Sequence, residues 1–269
     1  MQAAAGPALI CRPLAAVAPH LFTTRRWPLG AMTPGGEDQD PAPWDDVARA
    51  MQVSAARLVR VHQVHGAAVV IAEDACDSYP DADIILSRDP TLALAVQAAD
   101  CIPLLLADPG TGAVAAAHAG WRGLAAGVPA AAVLSLTREF GSRSSNLVAA
   151  IGPAVGACCY EVGGDVRDRF EAAGASGRQM ARWFLPAPIH SAANPSMSGV
   201  TGPRRADRWF FDGWTAAREQ LSEAGVPGAQ IFLAGLCTAS HPDILCSYRR
   251  DGSPAGRIAG AIRSRRLHP

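Results

Sequence analysis

Apolar residues in this chain fall into short runs rather than long periodic stretches. "RLVRVHQV" and "AAVVIA" read as two short strands around Gly66, and Val59, Val61, Val64, Val69, Val70 and Ile71 give them β-branched character. "TLALAVQAA", "IPLLLAD" and "GAVAAAHAG" follow as three further strand-like runs. The "DPGTG" between the last two is a turn signal, which predicts a hairpin with residues 109–112 as a four-residue loop. Helical spacing appears at Val133, Leu136, Thr137 and Phe140, in a helix that starts or kinks at Pro129. A second helix fits "DGWTAAREQLSEAG", with Asp212 as N-cap and Gly225 just past its end.

Residues 33–46 and 185–208, rich in Pro, Gly, Ser and charge, read as loops, the second a long one. Residues 1–20 are expected to be a poorly determined N-terminal segment, and no repeat organises the chain. Strands in adjacent hairpin-like runs, without strict βαβ alternation, predict an α+β fold with one domain over residues 1–269.

Composition narrows the chemistry. The 24 basic residues balance 24 acidic ones, so no nucleic-acid or membrane-surface partner is expected, and "RSRRLHP" is read as a solvated basic end. All the basic residues are arginine, which excludes a Schiff-base lysine and a P-loop and leaves arginine, backbone N–H or metal to hold anions. Seven cysteines, an odd number, do not make a disulfide framework at this length. The apolar N-terminus is interrupted by Pro7, Arg12, Pro13 and Pro19 without a basic region before it, so no secretory signal is expected. No apolar run approaches the roughly 20 residues of a membrane span. The expected compartment is a reducing one, the cytoplasm.

If residues 109–112 close the hairpin, Asp108 faces Ala113 and Cys101 faces Gly120, leaving His118 a diagonal neighbour about 7 to 8 Å from Cys101 between Cα atoms. A thiolate and an imidazole so placed can share a metal ion, and the glycines of "AGWRG" let the backbone approach a ligand. Each residue alone reads more readily as core than as part of a site. "HQVHG" offers two more histidines. On a strand His62 and His65 point to opposite faces, so one alone can join a given site, and His65 at the Gly66 break is favoured.

In this order and spacing, "QVHG", "ADCIPLLL", "AAHAGWRG", "IGPAVGACCYEV" and "SYRRDG" resemble the YfiH-like family, whose members are described as multicopper polyphenol oxidase (laccase)-like, purine nucleoside phosphorylase or peptidoglycan editing factor proteins. The likeness runs from "FTTR" to "GRIAGAI". It implies layered mixed β-sheets flanked by helices, an α-β-β-α arrangement, and a metal held by His65, Cys101 and His118. It further implies phosphorolysis of adenosine, inosine or methylthioadenosine to the free base and ribose 1-phosphate, together with adenosine deamination. Zinc is the expected metal, with copper possible, and the partners are a small nucleoside and phosphate. "FTTRRWPLGAMTPGGEDQ" lacks the Gly-Gly-Val-Ser and Leu-Asn pieces common in the family, which puts the nucleoside-side wall in question.

A His2Cys set with an open position suits catalysis. Arg25, Arg122, Arg249 and Arg250 are the candidate phosphate ligands, and Asp100 and Glu161 the candidate acids. Other readings stand beside this one. Cys101 and His118 also describe the nucleophile and base of a cysteine hydrolase or amidase that edits peptidoglycan precursors. Copper at one His2Cys site would serve a polyphenol oxidase, although the chain has no His-X-His pair. Cys237, His241 and Cys246 in "CTASHPDILC" have the spacing of part of a zinc module, and Cys158 and Cys159 read as packed small residues.

Overall fold

The computed structural model describes residues 6–30, 42–74, 80–197 and 207–265. The first strands are β1 (Ala8–Leu9), β2 (His20–Thr23), β3 (Leu58–Val59), β4 (Val69–Ile71), β5 (Ile84–Ser87), β6 (Ala93–Ala98) and β7 (Ile102–Ala107). Then come β8 (Val114–Ala119), β9 (Val148–Ile151), β10 (Glu161–Gly163), β11 (Phe184–Leu185), β12 (Arg208–Phe211), β13 (Ile231–Leu233) and β14 (Ile258–Arg263). The helices are α1 (Arg12–Ala15), α2 (Ala42–Ala50), α3 (Trp121–Ala125), α4 (Val128–Phe140), α5 (Gly164–Ala172), α6 (Gly177–Trp183), α7 (Gly213–Glu223) and α8 (Tyr248–Asp251).

One mixed sheet has the order β1-β2-β14-β6-β3 and a second β13-β9-β7-β8-β5-β4, with β10-β12-β11 as a small third. Successive residues of one strand serve different layers. Leu105 and Ala107 of β7 face Leu94, Val96 and Ile262 of the other large sheet, whereas Leu104 and Leu106 pack toward α4 and α7. Ala93 and Ala95 of β6 look outward, onto Trp44 and Val47 of α2. The layers are therefore helix, sheet, sheet, helix, as the resemblance implies. Strands buried on both faces carry unbroken apolar runs, which is why these segments show little alternation.

The hairpin has the expected register, with Ile102 opposite Ala119 and Pro103 opposite His118, closed by a hydrogen bond from Asp108 N–H to the Ala113 carbonyl (2.9 Å). α4 begins one residue before Pro129, and α7 follows Asp212, with Gly225 in the left-handed region (φ 97°) beyond its end. Three expectations are corrected. Residues 8–9 pair with β2, which draws part of the N-terminal segment into the sheet. "HQVHG" is not a strand: His62 makes an isolated bridge with Asp81 and His65 sits in a bend. The loop read at 33–46 ends early, because residues 42–46 open α2, while the loop read at 185–208 holds over the described residues between β11 and β12; residues 33–41 and 198–206 lie outside the described residues. Among the described residues no helix is long and apolar enough to cross a membrane.

The Asp212 carboxylate accepts the Thr215 backbone N–H (3.0 Å) and hydroxyl (2.6 Å). Replacement Asp212→Ala is expected to cost about 1 kcal/mol in chemical denaturation, in the range of lost N-caps.

Candidate metal centre

The hairpin brings Cys101 over Gly120 at the end of β8. A Cβ on Gly120 would stand 2.7 Å from Cys101 Sγ and 3.2 Å from His65 Cδ2, so only glycine leaves both side chains room. The third participant, His118, is the penultimate residue of β8.

A residue without any local signature in the sequence organises this site. Asp83, wholly buried just before β5, accepts His118 Nδ1–H (2.8 Å) and the His65 backbone N–H (3.0 Å) through Oδ1, and the Gly66 N–H (2.6 Å) through Oδ2. Its main-chain carbonyl accepts the His118 N–H (2.8 Å). The two N–H bonds clamp the bend in which His65 adopts φ 61°, a left-handed conformation that a residue with a Cβ seldom takes. Occupying Nδ1 of His118 leaves Nε2 as its ligand atom. The His65 and His118 rings lie 4.8 Å apart, nearly perpendicular at 78°.

One ligand atom each from His65, Cys101 and His118 lies within 4.8 Å of the others, and exposure rises from buried His118 through Cys101 to exposed His65. The residues fit a metal ion. Two imidazoles and a thiolate are a donor set for zinc or copper, no fourth Cys, His or carboxylate joins them among the described residues, and a carboxylate behind a ligating histidine is the usual outer support of such sites.

Without metal, the cluster stores one proton between Cys101 and His118. Desolvation disfavours the Cys101 thiolate, but the charge of His118 and hydrogen bonds from both histidines outweigh it and hold the thiol at about 6. Desolvation likewise opposes charge on His118, while the Cys101 thiolate and the Asp83 carboxylate lift it to about 9. Burial opposes ionisation of Asp83 too; the bonds to His118, Gly66 and His65 prevail and hold it below the usual carboxylate range. Both shifts run in the direction of a thiolate–imidazolium pair in the metal-free protein.

The site lines a cleft of about 480 Å³, together with His62, Gln63, Gln97, Asp100, Trp121, Arg122, Tyr160, Tyr248, Arg249 and Arg257. The expected arginines divide. Arg122 stacks on Trp121 (4.3 Å) and Arg249 on Tyr160 (5.1 Å), both in the cleft. Arg25 instead donates to the Pro242 carbonyl, and Arg250 spends its guanidinium on the carbonyls of Thr238 (2.8 Å) and Leu245 (3.0 Å) and on Asp251 (2.6 Å). Neither lines the cleft, because both brace the chain around residues 238–251. Arg257 was not anticipated, its "GRIAG" context having no distinctive chemistry.

Asp100 lies in the cleft wall, at φ 92°, and accepts the Thr238 hydroxyl (2.6 Å) and the Arg249 backbone N–H (2.5 Å). Burial raises its pKa. Glu161 sits in β10 outside the cleft. His62 lines the cleft with its ring on Asp81 (2.7 Å), so it shares the cleft with His65, and it is the Asp83 bend rather than strand parity that separates them. The Cys237-His241-Cys246 grouping is not assembled: Cys237 clusters with Cys158 and Cys159, His241 meets Asn194, and Cys246 packs beside Leu245 and Ile258.

Two outcomes are expected. Asp83→Asn should lower metal affinity by about 10- to 100-fold, measured by chelator competition, with the larger loss for Gly120→Ala, which places a methyl against two ligands. In metal-free protein, alkylation of Cys101, followed by peptide mass spectrometry, should rise with pH through about 6, because the thiolate forms as pH increases past its pKa. His118→Ala should move that midpoint upward.

Comparison with known proteins agrees with this architecture. Residues 42–265 match the family model described as "Multi-copper polyphenol oxidoreductase laccase". A relative from Deinococcus radiodurans named "Purine nucleoside phosphorylase" is 32% identical over 253 residues, covering 91% of this chain and 88% of the relative. One of the same name from Bacteroides thetaiotaomicron is 36% identical over 180 residues, 67% of this chain but 60% of its own length. The crystal structure of hypothetical protein YfiH from Bacillus licheniformis superposes with a TM-score of 0.80 at 26% identity, over 97% of both chains. That of YlmD from Geobacillus stearothermophilus gives 0.77 at 27%, again over 97% of each. With most of its length matched in sequence and nearly all of it in structure, the chain belongs to the family described as multi-copper polyphenol oxidoreductase laccase, which includes YfiH and YlmD.

Proposed function

We infer that the protein is a metal-dependent purine nucleoside phosphorylase acting on adenosine, inosine or methylthioadenosine, with adenosine deamination in the same cleft. The observation that carries this reading is the continuity of the His65-Cys101-His118 cluster with a cleft holding arginine forks and aromatic faces. The relatives' name supports it.

Phosphorolysis breaks the bond from the ribose anomeric carbon to the purine nitrogen and forms a carbon–oxygen bond to phosphate. Catalysis then requires anion binding, base recognition and protonation of the leaving purine. Arg249 meets the first need in a pre-set pose, with its backbone held by Asp100 and its guanidinium over Tyr160. Arg122 and Arg257 supply further positive charge. Trp121, Tyr160 and Tyr248 present flat faces to a purine. Burial pushes the Tyr160 phenol well above its ordinary value, so it stays a neutral hydrogen-bond donor. Asp100 is assigned the proton transfers, its raised pKa being the direction that keeps an acid available nearer neutral pH. A metal held by His65, Cys101 and His118, zinc or copper, would supply Lewis-acid polarisation of substrate or water in the cleft.

The thiolate–imidazolium pair favours one second reading, a cysteine hydrolase acting on peptidoglycan precursors. Metal-free protein would then be the active form.

Metal-loaded protein incubated with adenosine and phosphate is expected to yield adenine, ribose 1-phosphate and inosine by chromatography; absence of all three would sink the assignment. Arg249→Ala should raise the KM for phosphate by tenfold or more, since a charged hydrogen bond is worth about 1.5 to 3 kcal/mol, while Arg25→Ala should leave it unchanged.

A further inference from the structure

A second group of ligand-type side chains lies away from the cleft. Cys158 and Cys159 follow the tight turn at Gly156, and Cys237 arrives beside them because it bridges Ala154. All three are buried, and their sulfur atoms lie within 4.8 Å of one another. Their surroundings differ from those of packed thiols. The Gly156 N–H donates to Cys237 Sγ (3.3 Å) and the Met197 N–H to Cys159 Sγ (3.3 Å), and the Ser240 hydroxyl lies 3.5 Å from the sulfurs of both Cys158 and Cys159. Backbone donors aimed at sulfur stabilise negative charge there and are the usual outer support of thiolate ligands.

We propose that Cys158, Cys159 and Cys237 bind one monovalent copper ion in a three-coordinate, all-sulfur site, separate from the His65-Cys101-His118 centre. Three soft donors disfavour the hard cations magnesium and calcium, which take oxygen ligands. Structural zinc sites close with four protein ligands, and two of the neighbouring candidates for a fourth among the described residues are engaged. The Ser240 hydroxyl donates to the Pro195 carbonyl (2.6 Å), and His241 Nε2 meets Asn194 Oδ1 (3.2 Å). A metal–sulfur bond of about 2.3 Å in a trigonal plane places the sulfurs about 4 Å apart, within the observed limit. Binding displaces the thiol protons, including the one Cys159 directs at the Pro195 carbonyl (3.8 Å), but Ser240 keeps that carbonyl paired.

The site has a structural consequence for the cleft. Tyr160 directly follows Cys159 and lines the cleft, and Thr238 directly follows Cys237 and donates to Asp100. An ion joining the three sulfurs therefore fastens together the two segments that build this wall.

The test uses the full chain carrying Cys101→Ala and His118→Ala, which removes the other centre, titrated anaerobically with Cu(I) against a competing chelator. One equivalent is expected, with X-ray absorption showing sulfur neighbours alone, and adding Cys237→Ala should abolish it. No binding, nitrogen or oxygen neighbours, retention in the Cys237→Ala protein, or tighter capture of Zn2+ in a parallel titration would each overturn the proposal. Should Cys237→Ala fail to fold, native mass spectrometry of the Cys101→Ala, His118→Ala protein decides: one copper ion is expected, and none overturns it.

Discussion

The carboxylate of Asp83 is the constraint on which the rest of this site depends. A fully buried carboxylate is costly unless its oxygens are paired, and Asp83 meets that demand by gripping His118 through its ring and the His65–Gly66 bend through two N–H groups. Two of the three candidate metal ligands are thereby held by one side chain, while the third, Cys101, is placed independently by the β7–β8 hairpin. The missing side chain at Gly120 completes the arrangement, because the ligands converge where a methyl group would otherwise lie.

Around that centre the arginines take two roles set by their surroundings. Arg250, enclosed among carbonyls and Asp251, is a brace for the segment that ends the cleft wall. Arg122 and Arg249 lie over aromatic rings and line the cleft. Asp100 links the two roles, since the carboxylate that anchors Thr238 also holds the Arg249 backbone. Asp100 is also the chain neighbour of Cys101, so this carboxylate adjoins the candidate metal cluster.

Local signals in the sequence proved sufficient where the physics is local. The "DPGTG" turn determined the hairpin register, and Asp212 and Gly225 bounded α7, because turn and cap geometry are set by neighbouring residues. The same logic misled at "HQVHG". Its β-branched neighbours imply a strand, yet Asp83, distant in sequence, draws the backbone into a bend. The division of the arginines was equally hidden: nothing near Arg250 in the chain reveals that the carbonyls of Thr238 and Leu245 will enclose it.

By itself, then, the sequence determined the α+β class, the main hairpin and helix, and, through motif resemblance, the layering and the identity of the three residues that converge. Tertiary structure alone decided what aims them, which arginines stay available to a ligand, and that Cys237 joins Cys158 and Cys159 instead of His241 and Cys246. The reason is range. Turns, caps and burial patterns are written within a few residues, whereas Asp83 and His118, like Cys158 and Cys237, meet only after separate strands and loops have packed.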